Sequence, residues 1–220
     1  MTGQKPGDHR RRRAAGHKPG STGSGVPPLP RITVEMPVLV VGSGLVDFEN
    51  LGPRVNGLRR PAGLHLTLLH LGILADFAAD VSAWTKGITD PGMVSLRTAA
   101  WLRSLPVLPG FSGTAGKLVV FGGGRVTALE VDVPEQVHDF QRTLVEGLHV
   151  LLDDLLVDNV DDFILASPAL GFRYPRWMPH VAVGRPLDRH TVTQEIDPLS
   201  VAFGPSQIRN GRFLPEPEMG

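Results

Sequence analysis

The chain of 220 residues contains no cysteine. Disulfides, thiolate nucleophiles and cysteine-ligated metal sites are therefore excluded, and a reducing, cytoplasmic setting is expected. No run of about 18 consecutive apolar residues occurs, so no membrane-spanning helix is expected. The arginines Arg10 to Arg13 lead into small and polar residues rather than an apolar segment, which argues against a secretory signal. Net charge is also lacking: 22 basic side chains balance 22 acidic ones. The balance hides an asymmetry, because residues 1–30 carry +5 and the remainder −5. Affinity of the mildly acidic body for a polyanion must therefore come from a local site or from the tail.

What is present divides at Pro30. Residues 1–30 are rich in Gly, Pro, Ser, Lys and Arg with almost no bulky apolar side chain, so they form a tail expected to be disordered. It is a solvated tail or an electrostatic arm that raises encounter with RNA. Beyond it, 26 Gly and 20 Pro over the whole chain imply many turns and short elements.

"RITVEMPVLVVG" and "LHLTLLHLG" read as strands, the second closed by Gly72. Leu45 to Leu58 reads as a short helix interrupted near Pro53. "DPGMVSLRTAAWLRSL" opens a helix with Asp90 as N-cap and Pro91 in the first turn. "AGKLVVFG" and "RVTALEVDV" form a hairpin about Gly122, Gly123 and Gly124. No Lys-Ser/Thr follows these glycines, so a phosphate loop is not indicated. The clearest helix starts at Pro134, with Val137, Phe140, Leu144, Leu148, Leu151 and Leu155 as its apolar stripe. "WMPHVAVGR" and "PLSVAFGPSQIRNGRF" supply the last strands, giving an α+β chain of seven or eight strands and two or three main helices.

Two of these strands carry a histidine in matching settings. Alternation puts His65 and Thr67 on one face of the first, opposite Leu66 and Leu68, and places His70 on the leucine side. In the second, His180, Ala182 and Gly184 share a face opposite Val181 and Val183. His138, His149 and His190 read as structural or solvated. No His-x-His or His-x-x-x-His spacing offers a third metal ligand, and no Gly-x-Ser-x-Gly elbow offers a serine nucleophile. A histidine pair fits concerted proton transfer instead, one neutral imidazole accepting and one imidazolium donating near neutral pH.

"HLTLLHLG" and "PHVAVGR" resemble the paired His-x-Thr/Ser motifs of the 2H phosphoesterase superfamily, which includes 2′-5′ RNA ligase-like proteins and cyclic phosphodiesterases. The likeness covers roughly residues 33 to 214 and is closest around His65. It implies that residues 31–220 form a single bilobal α+β domain. Two antiparallel-rich sheets with outer helices would then be related by a pseudo-twofold about a central cleft. It also implies a metal-independent, cofactor-free reaction on a 2′,3′-cyclic phosphate or a 2′-5′-linked end. The partner would be an RNA 3′ end or a cyclic nucleotide, with neither a membrane nor an obligate protein partner, and the protein a monomer. His65 and His180 would be the acid–base pair and Thr67 a phosphate ligand.

Ala182 departs from the pattern, standing where Thr or Ser is usual. Losing a hydroxyl bond to a charged oxygen costs about ten- to a hundredfold in turnover. The alternative is therefore a weakened module that binds nucleotide or RNA without turning it over. Arg185, at the strand end, and Arg173 and Arg176, just before the second motif, are candidate phosphate contacts. Tyr174 and Trp177 are candidate base-stacking residues.

Overall fold

Strand β1 (Arg31–Val41) is the strand on which the sheet closes. The computed structural model describes residues 29–170, 177–188 and 193–216, so Arg173, Tyr174, Arg176, His190 and nearly all of the basic tail lie outside the described residues. One edge of β1 pairs antiparallel with β2 (His65–Ile73). The other pairs with β7 (Gln207–Arg209) along its first half and with β6 (Gln194–Phe203) along its second. From β6 the ladder runs through β3 (Ser112–Phe121), β4 (Val126–Asp132) and β5 (His180–Gly184) back to β2. Seven antiparallel strands thus form one sheet that returns on itself, and the α+β, antiparallel-rich class expected from sequence is what the structure has. Where two sheets were expected, the described strands form one continuous ladder.

Helices cover the apolar side. They are α1 (Leu45–Glu49), α2 (Leu74–Trp84), α3 (Pro91–Ser104), α4 (Glu135–Asp154) and α5 (Val160–Ala166). Asp90 caps α3 as expected, its carboxylate accepting the Met93 N–H at 3.1 Å. Helix α4 buries Val137, Leu144, Leu148, Leu151 and Leu152, while Phe140 is only half-buried. Helices α2 and α5 were not expected. The first follows β2 without a break, since Leu74 starts it directly after Ile73, and the second is only seven residues long.

The core is one cluster in which Leu66, Leu71, Phe77, Leu144, Leu148, Val181 and Val183 are essentially inaccessible. Each such side chain contributes about 1.5–3 kcal/mol of transfer free energy. Gly72 sits at φ +74, and a Cβ there would overlap the Ala169 carbonyl oxygen. Glycine is therefore what lets the segment after α5 close down on β2.

One local irregularity changes a face. The β1–β2 register steps from Glu35↔Thr67 to Val34↔Leu69, so Leu68 is an extra residue. Both Leu68 and Leu69 are buried, and His70, opposite Thr33, comes round to the face of His65 and Thr67. Simple alternation, which places His70 on the leucine side, is corrected by this bulge. The His70 pKa lies below the ordinary imidazole value because of burial and, secondarily, the Arg31 charge.

Leu66→Ala removes a side chain at the ring's closure and is expected to cost about 2–5 kcal/mol. Leu39→Ala, at a residue 63% exposed, is expected to stay within about 0.5 kcal/mol. Equilibrium denaturation of both variants checks the contrast.

Candidate active site

The two histidine strands are joined at one residue pair, Leu66↔Val181. Antiparallel register then sets Thr67 opposite His180 and Ala182 opposite His65, with all four on the face away from the core. The histidines take diagonal positions, about 7 Å apart at Cβ. Neighbouring strands extend the same face. Pro37 and Glu35 of β1 pair with His65 and Thr67, while Ala128 and Glu130 of β4 pair with Ala182 and His180.

Both rings open their strands and are anchored alike. His65 Nδ1 lies 3.2 Å from the Gly63 carbonyl oxygen, and His180 Nδ1 lies 2.8 Å from the Met178 carbonyl oxygen. A carbonyl only accepts, so each Nδ1 carries the hydrogen and each Nε2 is left to take up or deliver a proton. The same bond, reaching two residues back, recurs at the first residue of each strand.

Glu35, which sequence reading passed over, lies beneath His65. Its side chain is 1% exposed, and Oε2 stands 3.6 Å from His65 Nε2. That carboxylate is tied down by Arg209 Nε at 3.1 Å, the Thr33 hydroxyl at 3.1 Å and Gln207 Nε2 at 3.4 Å. A buried carboxylate is tolerated only with such partners. The signal was a lone acid inside the β-branched run "RITVEMPVLVV"; its partner Arg209 is distant in sequence and gave none.

Opposing influences act on His65. Burial favours the neutral ring and outweighs the rest. The Glu35 charge and the Gly63 carbonyl favour the protonated ring, and Arg209 and then Arg59 oppose it. The net shift is downward from 6.5. This contribution to stability is present above the unfolded value and is lost as pH falls below 6.5 through the folded midpoint.

His180 meets a different surface. The Phe121 ring packs on it at 4.5 Å between centroids, tilted by 38°. Ala128 and Ala182, side by side on adjacent strands, leave the room for Phe121 to reach across. Phe121 was not singled out from sequence, where it read as one more apolar strand residue.

The remaining sequence candidates are placed as follows. Thr67 is half-buried between Glu35 and His180, and its carbonyl accepts the Trp177 indole N–H at 3.0 Å. Trp177 also packs edge-on against His138 at 5.4 Å, so it ties the segment before the second motif to β2 and α4. Arg185 is exposed just past β5, its backbone paired with Asn56 in both directions at 2.9 Å. Among the described residues, no three His, Asp or Glu side chains converge as a metal site needs.

Replacing Glu35 by Gln removes the larger charge favouring protonated His65. The His65 midpoint, read by proton NMR titration, is expected below 6.5 in the native chain and lower still in the variant. Should the unpaired Arg209 prevent folding, the double variant Glu35→Gln/Arg209→Gln gives the same direction, because the Glu35 influence exceeds that of Arg209. An unchanged or raised midpoint contradicts the assignment.

No protein-family model matches this chain, and no curated protein is similar to it. Among solved structures, it is similar to TT0787 of Thermus thermophilus, at 18% identity and TM-score 0.40 over 81% of this chain and 83% of that one. It is similar to E. coli LigT complexed with 3′-AMP at 15% identity and TM-score 0.40, over 81% and 93% of the two chains. A protein described as a phosphoesterase gives 16% identity and TM-score 0.39 over 79% and 83%.

Proposed function

We propose that this protein is a metal-independent phosphoesterase of the 2H phosphoesterase superfamily, acting on 2′,3′-cyclic phosphate or 2′-5′-linked nucleotide ends. The observation that carries the reading is the pair of imidazoles on adjacent strands, each held by the same Nδ1 bond, which leaves Nε2 as the nitrogen for proton transfer. A phosphorus centre between the diagonal rings has one base and one acid within reach of opposite oxygens.

The lowered pKa of His65 suits it to the base. Its neutral Nε2 takes a proton from water as the water oxygen bonds to phosphorus. The bond from phosphorus to a ribose oxygen breaks, and protonated His180 supplies that oxygen with its proton. Across the step one proton enters the pair and one leaves, so a single proton transfer between the rings or through solvent resets the site. Thr67, opposite His180 in register, donates its hydroxyl to a non-bridging oxygen in this reading. Arg173, Arg176 and Arg185 are proposed as contacts to phosphate groups of the substrate, and Tyr174 and Trp177 as base contacts.

Ala182 favours the second reading, a module that binds an RNA end or nucleotide with little turnover. Opposite His65 it presents a methyl group where a second hydroxyl would complete the cradle.

Hydrolysis of 2′,3′-cyclic nucleotides in excess chelator is expected. His65→Ala and His180→Ala should each lower kcat/KM by about 10²- to 10⁴-fold. Activity that persists in both variants refutes the mechanism. Ala182→Thr restores a donor and is expected to raise turnover about tenfold. Tight nucleotide binding without turnover in either the native chain or this variant would establish the binding module instead.

A further inference from the structure

A cavity of about 910 Å³ opens beside the histidine face, past the end of β5. Arg59, Arg125 and Arg185 line it together with Asn56 and Gly184, and Asp188 is the acidic group on its wall. All three arginines are exposed, and none forms an ion pair among the described residues. The Arg125 guanidinium is steadied by donating from Nε to the Gly122 carbonyl at 2.7 Å.

The cavity wall is built, not incidental. Asn56 and Arg185 exchange both backbone hydrogen bonds at 2.9 Å, and Arg59 donates its N–H to the Val183 carbonyl at 2.8 Å. These bonds bring Arg59 and Arg185 to one side, and the β3–β4 turn carries Arg125 in from the other. Gly184 permits the close approach, since a Cβ there would overlap Val55 and press on the Asn56 and Gly57 carbonyl oxygens. Among the described residues the backbone thus holds three cations and one acid around an open space.

Its position relates it to the histidines. Ala182 faces His65 across the strands, and Gly184 lies two residues further on, about 7 Å along the strand. The Arg59 charge is felt at the His65 ring. The span from cleft to cavity is about that of one nucleotide.

Resting on the phosphoesterase reading, we propose that the Arg59–Arg125–Arg185 cavity is a second phosphate site, so that the favoured ligands carry a further phosphate group one nucleotide step from the reacting one. Guanidinium forks suit such a group because each offers paired N–H donors to phosphate oxygens. The 5′-phosphate of a mononucleotide and the next phosphate of an RNA strand present the same chemistry there.

Calorimetric binding separates this site from the catalytic pair, because it needs no turnover. A nucleoside 3′,5′-bisphosphate is expected to bind at least about tenfold more tightly than the 3′-monophosphate. In Arg59→Gln/Arg125→Gln that preference is expected to disappear. If the double variant does not fold, Arg125→Gln alone, at the exposed turn, should reduce the preference several-fold. Equal affinities, no binding of the bisphosphate, or a preference that survives substitution overturns the proposal. A dinucleotide with a 3′-phosphate and no 5′-phosphate, compared with the same two ligands, tells a strand phosphate from a terminal one. Loss of cyclic-nucleotide turnover with the bisphosphate preference intact would sink only the histidine mechanism.

Discussion

The pairing of Leu66 with Val181 is the constraint on which the site depends. Both side chains are fully buried on one face. In a strand the next residue must point the other way, so burying this pair thrusts His65, Thr67, His180 and Ala182 outward together. Slipping β5 by one residue against β2 would bury His180 and expose Val181. The hydrophobic effect therefore fixes the register, and the register brings the two histidines to one face. Because the β2–β5 contact closes the ring of strands, the same burial that completes the fold also assembles the candidate site.

Electrostatics then distinguishes two rings that the backbone treats alike. Burial pushes His65 toward neutrality, while the Glu35 carboxylate beneath it resists. Arg209 pairs with Glu35 in an otherwise apolar strand, and its own charge opposes protonation of the imidazole. On the other strand, His180 faces Phe121 and Glu130 has no counterpart of the Arg209 clamp among the described residues. Two copies of one local motif thus sit in unequal surroundings. Such inequality suits a reaction that needs one base and one acid.

The parts of the architecture visible in sequence were those written in local pattern. Apolar periodicity gave α4, Asp90-Pro91 gave the start of α3, and three glycines gave the β3–β4 turn. The alternation in "HLTLLHLG" put His65 and Thr67 on the face opposite Leu66 correctly. It failed for His70, because an extra residue at Leu68 depends on how β1 pairs and leaves no mark in β2 itself. Helix α2 was missed for a related reason: it continues from a strand with no capping side chain at Ile73 to announce it. Glu35 with Arg209, and Phe121 against His180, are contacts between residues far apart in the chain, so only the folded sheet reveals them. The arginine cavity is of the same kind, drawn from a loop after α1, a hairpin turn and the end of β5.

The most direct measurement is a crystal structure with a nucleoside vanadate, whose five-coordinate vanadium mimics phosphorus during displacement. The account predicts that Nε2 of His65 and Nε2 of His180 each contact a different apical oxygen of one vanadium, with the Thr67 hydroxyl on an equatorial oxygen. A vanadate bound elsewhere, or seated here with either ring turned from it, would contradict the account.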